Sequence, residues 1–259
     1  MYNDLFDLNN KVVLFSGGYG YLGAESVRYL AFKGARVFVL ARDKDKFDSE
    51  FQGIDNVYFQ ECDMAVTESI RNAFNIIFEN CKRIDAIINN AFYSRGQSPE
   101  TMSDDDFNYG LDGCLTSVFR GIREIIPFFK KQKFGKIVNI SSMYGMVAPD
   151  FSVYTDSPQS LNPPHYGAAK AGVIQLTKYY ASYLGAYNIQ VNAVTPGPFP
   201  SETVQEKDPN FIERLSERTL LSKIGKPIEL AGAIVLLVTD ASNFITGQNI
   251  VVDGGWTSK

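Results

Sequence analysis

Lys11-Val12-Val13-Leu14-Phe15-Ser16-Gly17-Gly18-Tyr19-Gly20-Tyr21-Leu22-Gly23 runs from an apolar segment into a glycine-rich turn. Ala24, Val27, Leu30 and Ala31 then follow at helical spacing. The pattern predicts a strand, a tight turn and an amphipathic helix. Glycines let a backbone turn sharply and approach a pyrophosphate, and the free N–H groups of the next helix attract that anion. Gly34 supplies a helix stop, and Ala35 to Leu40 reads as the second strand of a βαβ unit. A tight turn without a ligand has the same glycines, but the early position between strand and helix is the context that nucleotide binding requires.

Working outward, short apolar runs recur at Val12 to Phe15, Arg36 to Leu40, Val57 to Gln60, Ile84 to Asn89, Lys136 to Ile140, Ile189 to Val194 and Asn249 to Val252. Helix-period segments separate most of them. Parallel strands need crossover helices, so the alternation predicts an α/β fold: a doubly wound, Rossmann-like, seven-stranded parallel sheet with helices on both faces. No repeat or polar linker divides the chain, and residues 1–259 are expected to form a single dinucleotide-binding catalytic domain. With 45% hydrophobic and 13% aromatic residues, a full core can be buried.

A net charge of −4 with interspersed signs offers no field for nucleic acid or anionic lipid. Met1 to Lys11 has no basic segment followed by an apolar core, and no stretch approaches the length of a membrane span. Cys62, Cys81 and Cys114 are widely spaced, so neither a disulfide framework nor a paired-cysteine site is expected. These features suit a cytoplasmic protein acting on a small molecule. His165, the one histidine, beside prolines in an expected loop, makes no metal site with such cysteines, and no metal is expected.

Tyr166 and Lys170 stand four residues apart at the start of an apolar-periodic segment, with Ser142 upstream in Asn139-Ile140-Ser141-Ser142. Residues i and i+4 share a helix face, which places an ammonium beside a phenol. A fixed positive charge favours the phenolate and lowers its pKa from about 10. Tyr166 is therefore the proton-transfer candidate. A serine hydroxyl would steady the developing charge on a substrate oxygen.

These stations, in this order, resemble the short-chain dehydrogenase/reductase family over nearly the whole chain. Asp63-Met64 after the third strand, Asn89-Asn90-Ala91 after the fourth, Pro196-Gly197 after the sixth and Val252-Asp253-Gly254-Gly255 near the end complete the series. Asn89-Asn90-Ala91-Phe92 and Pro196-Gly197-Pro198-Phe199-Pro200 further resemble a bacterial subgroup that includes gluconate-dehydrogenase-like and flagellin-modification oxidoreductases. The resemblance implies a catalytic set of Ser142, Tyr166 and Lys170, with Ser142 favoured over Ser141. It assigns cofactor contacts to Gly17, Tyr19, Gly20, Tyr21, Leu22, Arg42, Asp63, Met64, Asn90, Ala91, Phe92, Tyr166, Lys170, Pro196, Gly197 and Phe199. Asp63 and Met64 resemble the pair that holds an adenine, and Lys170 would also reach the nicotinamide ribose.

The reaction so implied is hydride transfer between a nicotinamide and a carbonyl or secondary alcohol. A sugar, sugar acid or polyol is the expected substrate, and a homodimer or homotetramer built on the helices Phe107 to Phe129 and Tyr166 to Leu184 the expected assembly. Cofactor choice turns on the end of the second strand, where Ala41 takes the usual place of an acidic residue and Arg42 follows, with Lys44 close behind. A guanidinium recognises a 2′-phosphate through its fork of donors, so NADP is expected, with NAD possible.

Several features depart from the family pattern. Cys114 occupies the position of an asparagine that many relatives use, and also fits a helix face with Phe107, Leu111, Val118 and Ile122 as a buried small hydrophobe. Phe92 replaces a usual glycine. Ser142 to Tyr166 is longer than the pattern needs, which predicts a substrate loop at about 143–165, and the resemblance makes a second irregular stretch, from Pro198, a substrate lid at about 198–220. Aromatic and acidic residues in that loop would suit a hydroxylated ligand. Gly17, Gly20 and Gly23 also fit the spacing of sugar-nucleotide epimerases and dehydratases, which retain their cofactor but append a substrate domain. A dinucleotide-binding sensor without catalysis is a further reading, set against the intact Ser142, Tyr166 and Lys170.

Overall fold

A computed structural model describes residues 4–259. Its centre is a seven-stranded sheet in which every adjacent pair is parallel. The strands are β1 (Val12–Ser16), β2 (Arg36–Ala41), β3 (Val57–Glu61), β4 (Ala86–Asn89), β5 (Gly135–Ile140), β6 (Ile189–Pro196) and β7 (Asn249–Val252). They lie in the order β3-β2-β1-β4-β5-β6-β7. The strand order reverses between β1 and β4, which is where a doubly wound sheet opens a crevice at its carboxyl edge.

All seven apolar runs become strands, with ends shifted by a residue or two. β4 begins at Ala86, although the Asp85 N–H still reaches the Val12 carbonyl at 2.8 Å. The expected single-domain Rossmann-like fold is what forms, because β1, β4 and β5 are buried on both faces and must be covered on both sides. One core layer joins the sheet to α1 (Tyr21–Phe32) and α9 (Pro227–Val238) through Val27, Leu30, Ile234 and Val238. The other joins it to α3 (Thr67–Cys81), α5 (Ser117–Gln132) and α6 (Pro164–Leu184) through Phe74, Ile122, Phe129 and Val173. Of the remaining helices, α2 is Lys44–Phe51, α4 is Asp104–Leu111, α7 is Glu202–Lys207 and α8 is Pro209–Arg218.

The long helix expected around Phe107 to Phe129 is not uniformly α-helical. α4 passes through a π-helical turn, Asp112–Thr116, before continuing as α5. An extra residue in one turn re-aims the side chains beyond it. Gly113 lies in this turn against the Tyr93 carbonyl, where an added Cβ would sit 1.9 Å from that oxygen. The approach brings the segment after β4 onto the helix, and Tyr93 is held further by its hydroxyl on Asp112, which Arg120 grips at 2.7 and 3.1 Å.

Gly113→Ala should therefore lower unfolding stability by about 2 kcal/mol or more, because the backbone oxygen cannot yield as a flexible side chain would. Gly232 lies exposed in α9 with open space around it, and Gly232→Ala should be neutral or gain about 0.5–1 kcal/mol. Urea titration measures both; equal effects at the two sites would contradict the packing described for the π turn.

Candidate active site

A cleft of about 620 Å³ opens at the carboxyl edge of the sheet, across β1, β2, β4, β5 and β6. Every residue assigned above to catalysis or cofactor contact lines it. Gly17, at φ +65, adopts the left-handed backbone that begins the turn after β1, and its Cβ would lie 2.9 Å from the Ala91 backbone. Gly23 leaves no more room, since a Cβ there would stand 3.0 Å from the Gly17 carbonyl. Backbone fills the space that side chains would occupy, and the turn opens toward the N-terminus of α1. That cradle fits a pyrophosphate.

Asn90 holds the cradle together. Its side-chain amide donates to the Ser16 and Gly17 carbonyls, each at 3.1 Å, while the Ser16 hydroxyl accepts from the Asn90 and Ala91 N–H groups at 3.0 and 3.1 Å. The motif after β4 thus braces the motif after β1 from across the sheet.

At one end of the cleft stand Arg42, Asp63, Met64 and Cys62. Arg42 is exposed and 3.7 Å from the Asp63 carboxylate. Lys44, placed beside Arg42 by the sequence, turns away onto Asp48 one helical turn later, at 2.7 Å from Oδ1. Lys46 lines the cleft in its stead. The Lys44–Asp48 spacing of four was the available signal that Lys44 would be engaged along α2.

At the other end are Ser142, Tyr166 and Lys170 with Phe92, Tyr93, Pro196, Gly197, Phe199 and Ser201. Pro164 at the start of α6 suits a first-turn position, where its missing N–H costs nothing, and the helix places Tyr166 and Lys170 on one face. His165 also begins this helix, rather than lying in a loop, and is fully buried against Phe107 and Met102. The Lys170 ammonium donates to the Ile140 carbonyl at 2.8 Å, and its own carbonyl accepts from the Ser141 hydroxyl at 2.9 Å. Ser141 is thereby committed to joining β5 to α6. Ser142 instead accepts the Tyr144 N–H at 3.2 Å, and its hydroxyl stands near enough to the Tyr166 phenol to lower that group's pKa.

The expected lowering of the Tyr166 pKa by Lys170 does not appear. Burial pushes the phenol up to about 12, the nearby Cys114 thiol adds to the rise, and the Ser142 hydroxyl pulls the other way. Burial also pushes the Lys170 ammonium down to about 8. Desolvation outweighs the attraction because the ammonium faces the Ile140 carbonyl, 5.6 Å from the centre of the tyrosine ring. At neutral pH the pair is a neutral phenol beside a protonated lysine.

Cys114 is fully buried in the π turn, its Sγ 3.9 Å from the Tyr93 carbonyl, and burial pushes its thiol up. Phe92 is exposed in the cleft and meets Tyr166 edge-on, with ring centres 6.2 Å apart. None of residues 143–165 lines the cleft. Of the aromatic and acidic side chains expected to face a ligand, Tyr154 is buried beneath Phe211 and Asp150 pairs with Arg218, while Phe151 and Asp156 are exposed outside the cleft. Lys46, Tyr93, Ser141 and Ser201 are among the cleft residues to which the motifs assigned no role, with Gly23, Leu40, Ala41, Cys62 and Ile140. Tyr93 and Ser141 directly adjoin recognised motifs, whereas Ser201 reaches the cleft only through the path of the chain after β6.

A family model described as enoyl-(acyl carrier protein) reductase matches residues 21–257. The 3-oxoacyl-(acyl-carrier-protein) reductase of Thermotoga maritima is 31% identical over 252 residues, covering 96% of this chain and 98% of that protein. The structure of a gluconate 5-dehydrogenase from Burkholderia cenocepacia with NADP and tartrate superposes with a TM-score of 0.87 at 28% identity, covering 99% and 98% of the two chains. A short chain dehydrogenase from Leptospira borgpetersenii with bound NAD+ gives 0.87 at 29% identity, covering 99% and 97%. The match of the family model over residues 21–257, with 31% identity along nearly the whole of both chains to the Thermotoga maritima reductase, makes this chain a member of the short-chain dehydrogenase/reductase family.

Proposed function

We propose that this protein transfers hydride between NADP and the carbonyl or secondary alcohol of a small polar substrate of the sugar, sugar-acid or polyol class. The observation that carries the reading is the meeting of Ser142, Tyr166 and Lys170 at one end of a cleft whose middle is the glycine cradle. When bound, the nicotinamide supplies the hydride acceptor or donor. The protein's residues supply the rest.

Gly17, Tyr19, Gly20, Tyr21 and Leu22 would hold the pyrophosphate, Asp63 and Met64 the adenine, and Asn90, Ala91, Phe92, Pro196, Gly197 and Phe199 the nicotinamide half. In the reducing direction, Ser142 donates to the substrate carbonyl oxygen. The carbonyl carbon gains hydride as the oxygen takes the Tyr166 proton, leaving a phenolate beside the Lys170 ammonium. A phenol pushed up to about 12 is a reliably protonated donor at neutral pH. In the oxidising direction the same proton returns to Tyr166. The tartrate in the Burkholderia cenocepacia structure supports the sugar-acid part of the reading.

Arg42 and Lys46 favour NADP, because a guanidinium and an ammonium at the ribose end can share a 2′-phosphate. Free, widely spaced thiols suit a reducing cytoplasm. A homodimer or homotetramer would use the run from α4 to α5 together with α6, the last of which carries the exposed Tyr179 and Tyr183. No described helix is long and apolar enough to cross a membrane.

Tyr166→Phe should cut turnover on a sugar-acid and polyol panel by about 10²–10⁴-fold while leaving the cofactor Kd within about twofold. Near-normal turnover in that variant would remove Tyr166 from the chemistry. For cofactor choice, Arg42→Ala with Lys46→Ala should weaken NADP binding by at least about tenfold and leave NAD binding nearly unchanged. Titration calorimetry with both cofactors measures this, and equal losses for the two would exclude 2′-phosphate recognition at this end.

A further inference from the structure

We propose that Arg214 and Tyr154 are positioning residues: the inserted segment after β5 and the lid after β6 form one cap, clasped at Ser157, that sets the Ser142 hydroxyl. The positioning half rests on the role given to Ser142 above.

Ser157 is fully buried, although Thr155, Asp156, Pro158 and Gln159 around it are exposed. A buried hydroxyl in an exposed turn needs partners. Ser157 donates to the Asp208 carboxylate at the N-cap of α8 and accepts from the Arg214 guanidinium at 2.9 Å. Asp208 also accepts from the Gln159 amide at 3.1 Å. Arg214 donates a second bond, from Nε to the Val153 carbonyl at 2.9 Å, and Arg218 pairs with Asp150 while donating to the Ser152 hydroxyl at 3.1 Å. Charged groups of the lid thus grip five residues of the insert, and most of these bonds are charge-assisted.

Apolar packing lies beneath this seam. Val153 and Tyr154 of the insert bury against Phe211 and Leu215 of α8 and against Met143 and Trp256, with the Tyr154 and Phe211 rings 5.7 Å apart. The cluster is separate from both main core layers, so the insert and lid have a core of their own. At its inner edge the Tyr154 hydroxyl meets the Tyr144 hydroxyl at 2.6 Å, and the Tyr144 N–H donates to Ser142 Oγ at 3.2 Å. The cap therefore ends on the serine hydroxyl, even though no residue of 143–165 lines the cleft. At its far edge Gln205 of α7 donates to the Tyr21 hydroxyl at 3.3 Å and to the Pro200 carbonyl at 2.8 Å, which seats the lid on the glycine-rich turn.

Arg214 joins the lid to the insert at two points, beside the contacts of Asp208 and Arg218, and one phenol of the insert orients the hydrogen bond made at Ser142. Removal of Arg214 frees both segments together. Removal of the Tyr154 hydroxyl leaves the clasp intact but releases Tyr144 and, through it, Ser142.

Amide hydrogen exchange without cofactor tests the clasp. Arg214→Ala should speed exchange at residues 150–161 and 209–218 together by about tenfold, with the central strands unchanged. Ser157→Ala, the smaller change, should do the same and serves if Arg214→Ala fails to fold. Loosening confined to the lid, with the insert unaffected, overturns the single cap. Tyr154→Phe should keep wild-type exchange at 150–161 and wild-type cofactor Kd but lower kcat about tenfold with KM within about twofold. Wild-type kcat in that variant overturns the positioning role. A wild-type protein that turns over no carbonyl or alcohol removes the positioning role together with the reaction it serves, while the exchange result decides the clasp by itself.

Discussion

The reacting end of this molecule depends on one buried ammonium. Lys170 is almost fully enclosed, and burial of a cation is costly unless polar groups receive it. The Ile140 carbonyl does so at the last residue of β5, where the ladder with β6 ends. Lys170 also accepts the Ser141 hydroxyl through its own backbone carbonyl, so α6 is fastened to β5 at two points. Tyr166 lies one turn before this fastening and Ser142 one residue beyond it. Their proximity follows from the fastening rather than from any direct bond between strand and tyrosine.

A second constraint acts across the sheet. The strand order reverses between β1 and β4, and the turn after β1 is stitched to the segment after β4 by the Asn90 amide and the Ser16 hydroxyl. The glycine cradle is thereby shaped by a strand far from it in sequence. The segment after β4 is held in turn by the π-helical turn, through the Tyr93 carbonyl over Gly113 and the Tyr93 hydroxyl on Asp112. Cys114 points into this packed region as a buried thiol. It interacts electrostatically with Lys170, acting against the desolvation that is the main influence on that lysine.

The strands were legible because a sheet covered on both faces leaves short, nearly unbroken apolar runs such as Val12 to Phe15 and Ile137 to Ile140. The cleft-lining residues were legible for a related reason: in this topology every strand-to-helix turn falls on one edge, so motifs distant in sequence converge. Distances and competing interactions were not. Nothing in the spacing of Tyr166 and Lys170 says that the ammonium turns to a strand carbonyl, nor that burial pushes the phenol up to about 12. The spacing to Asp48 marks Lys44 as engaged along α2, but nothing in the sequence says that Lys46 lines the cleft. The insert showed itself by length and prolines, but its clasp pairs residues about fifty positions apart, such as Ser157 with Asp208, and no local pattern encodes that.

The account stands on hydride passing directly between a nicotinamide and a substrate carbon beside Tyr166. The most direct measurement is reduction of a responsive ketone by NADPH deuterated at the transferred position of C4, with the product alcohol analysed by mass spectrometry. The account predicts one deuterium on the carbinol carbon and stoichiometric oxidised cofactor. Product without label, or label exchanged with solvent before it reaches carbon, would contradict it.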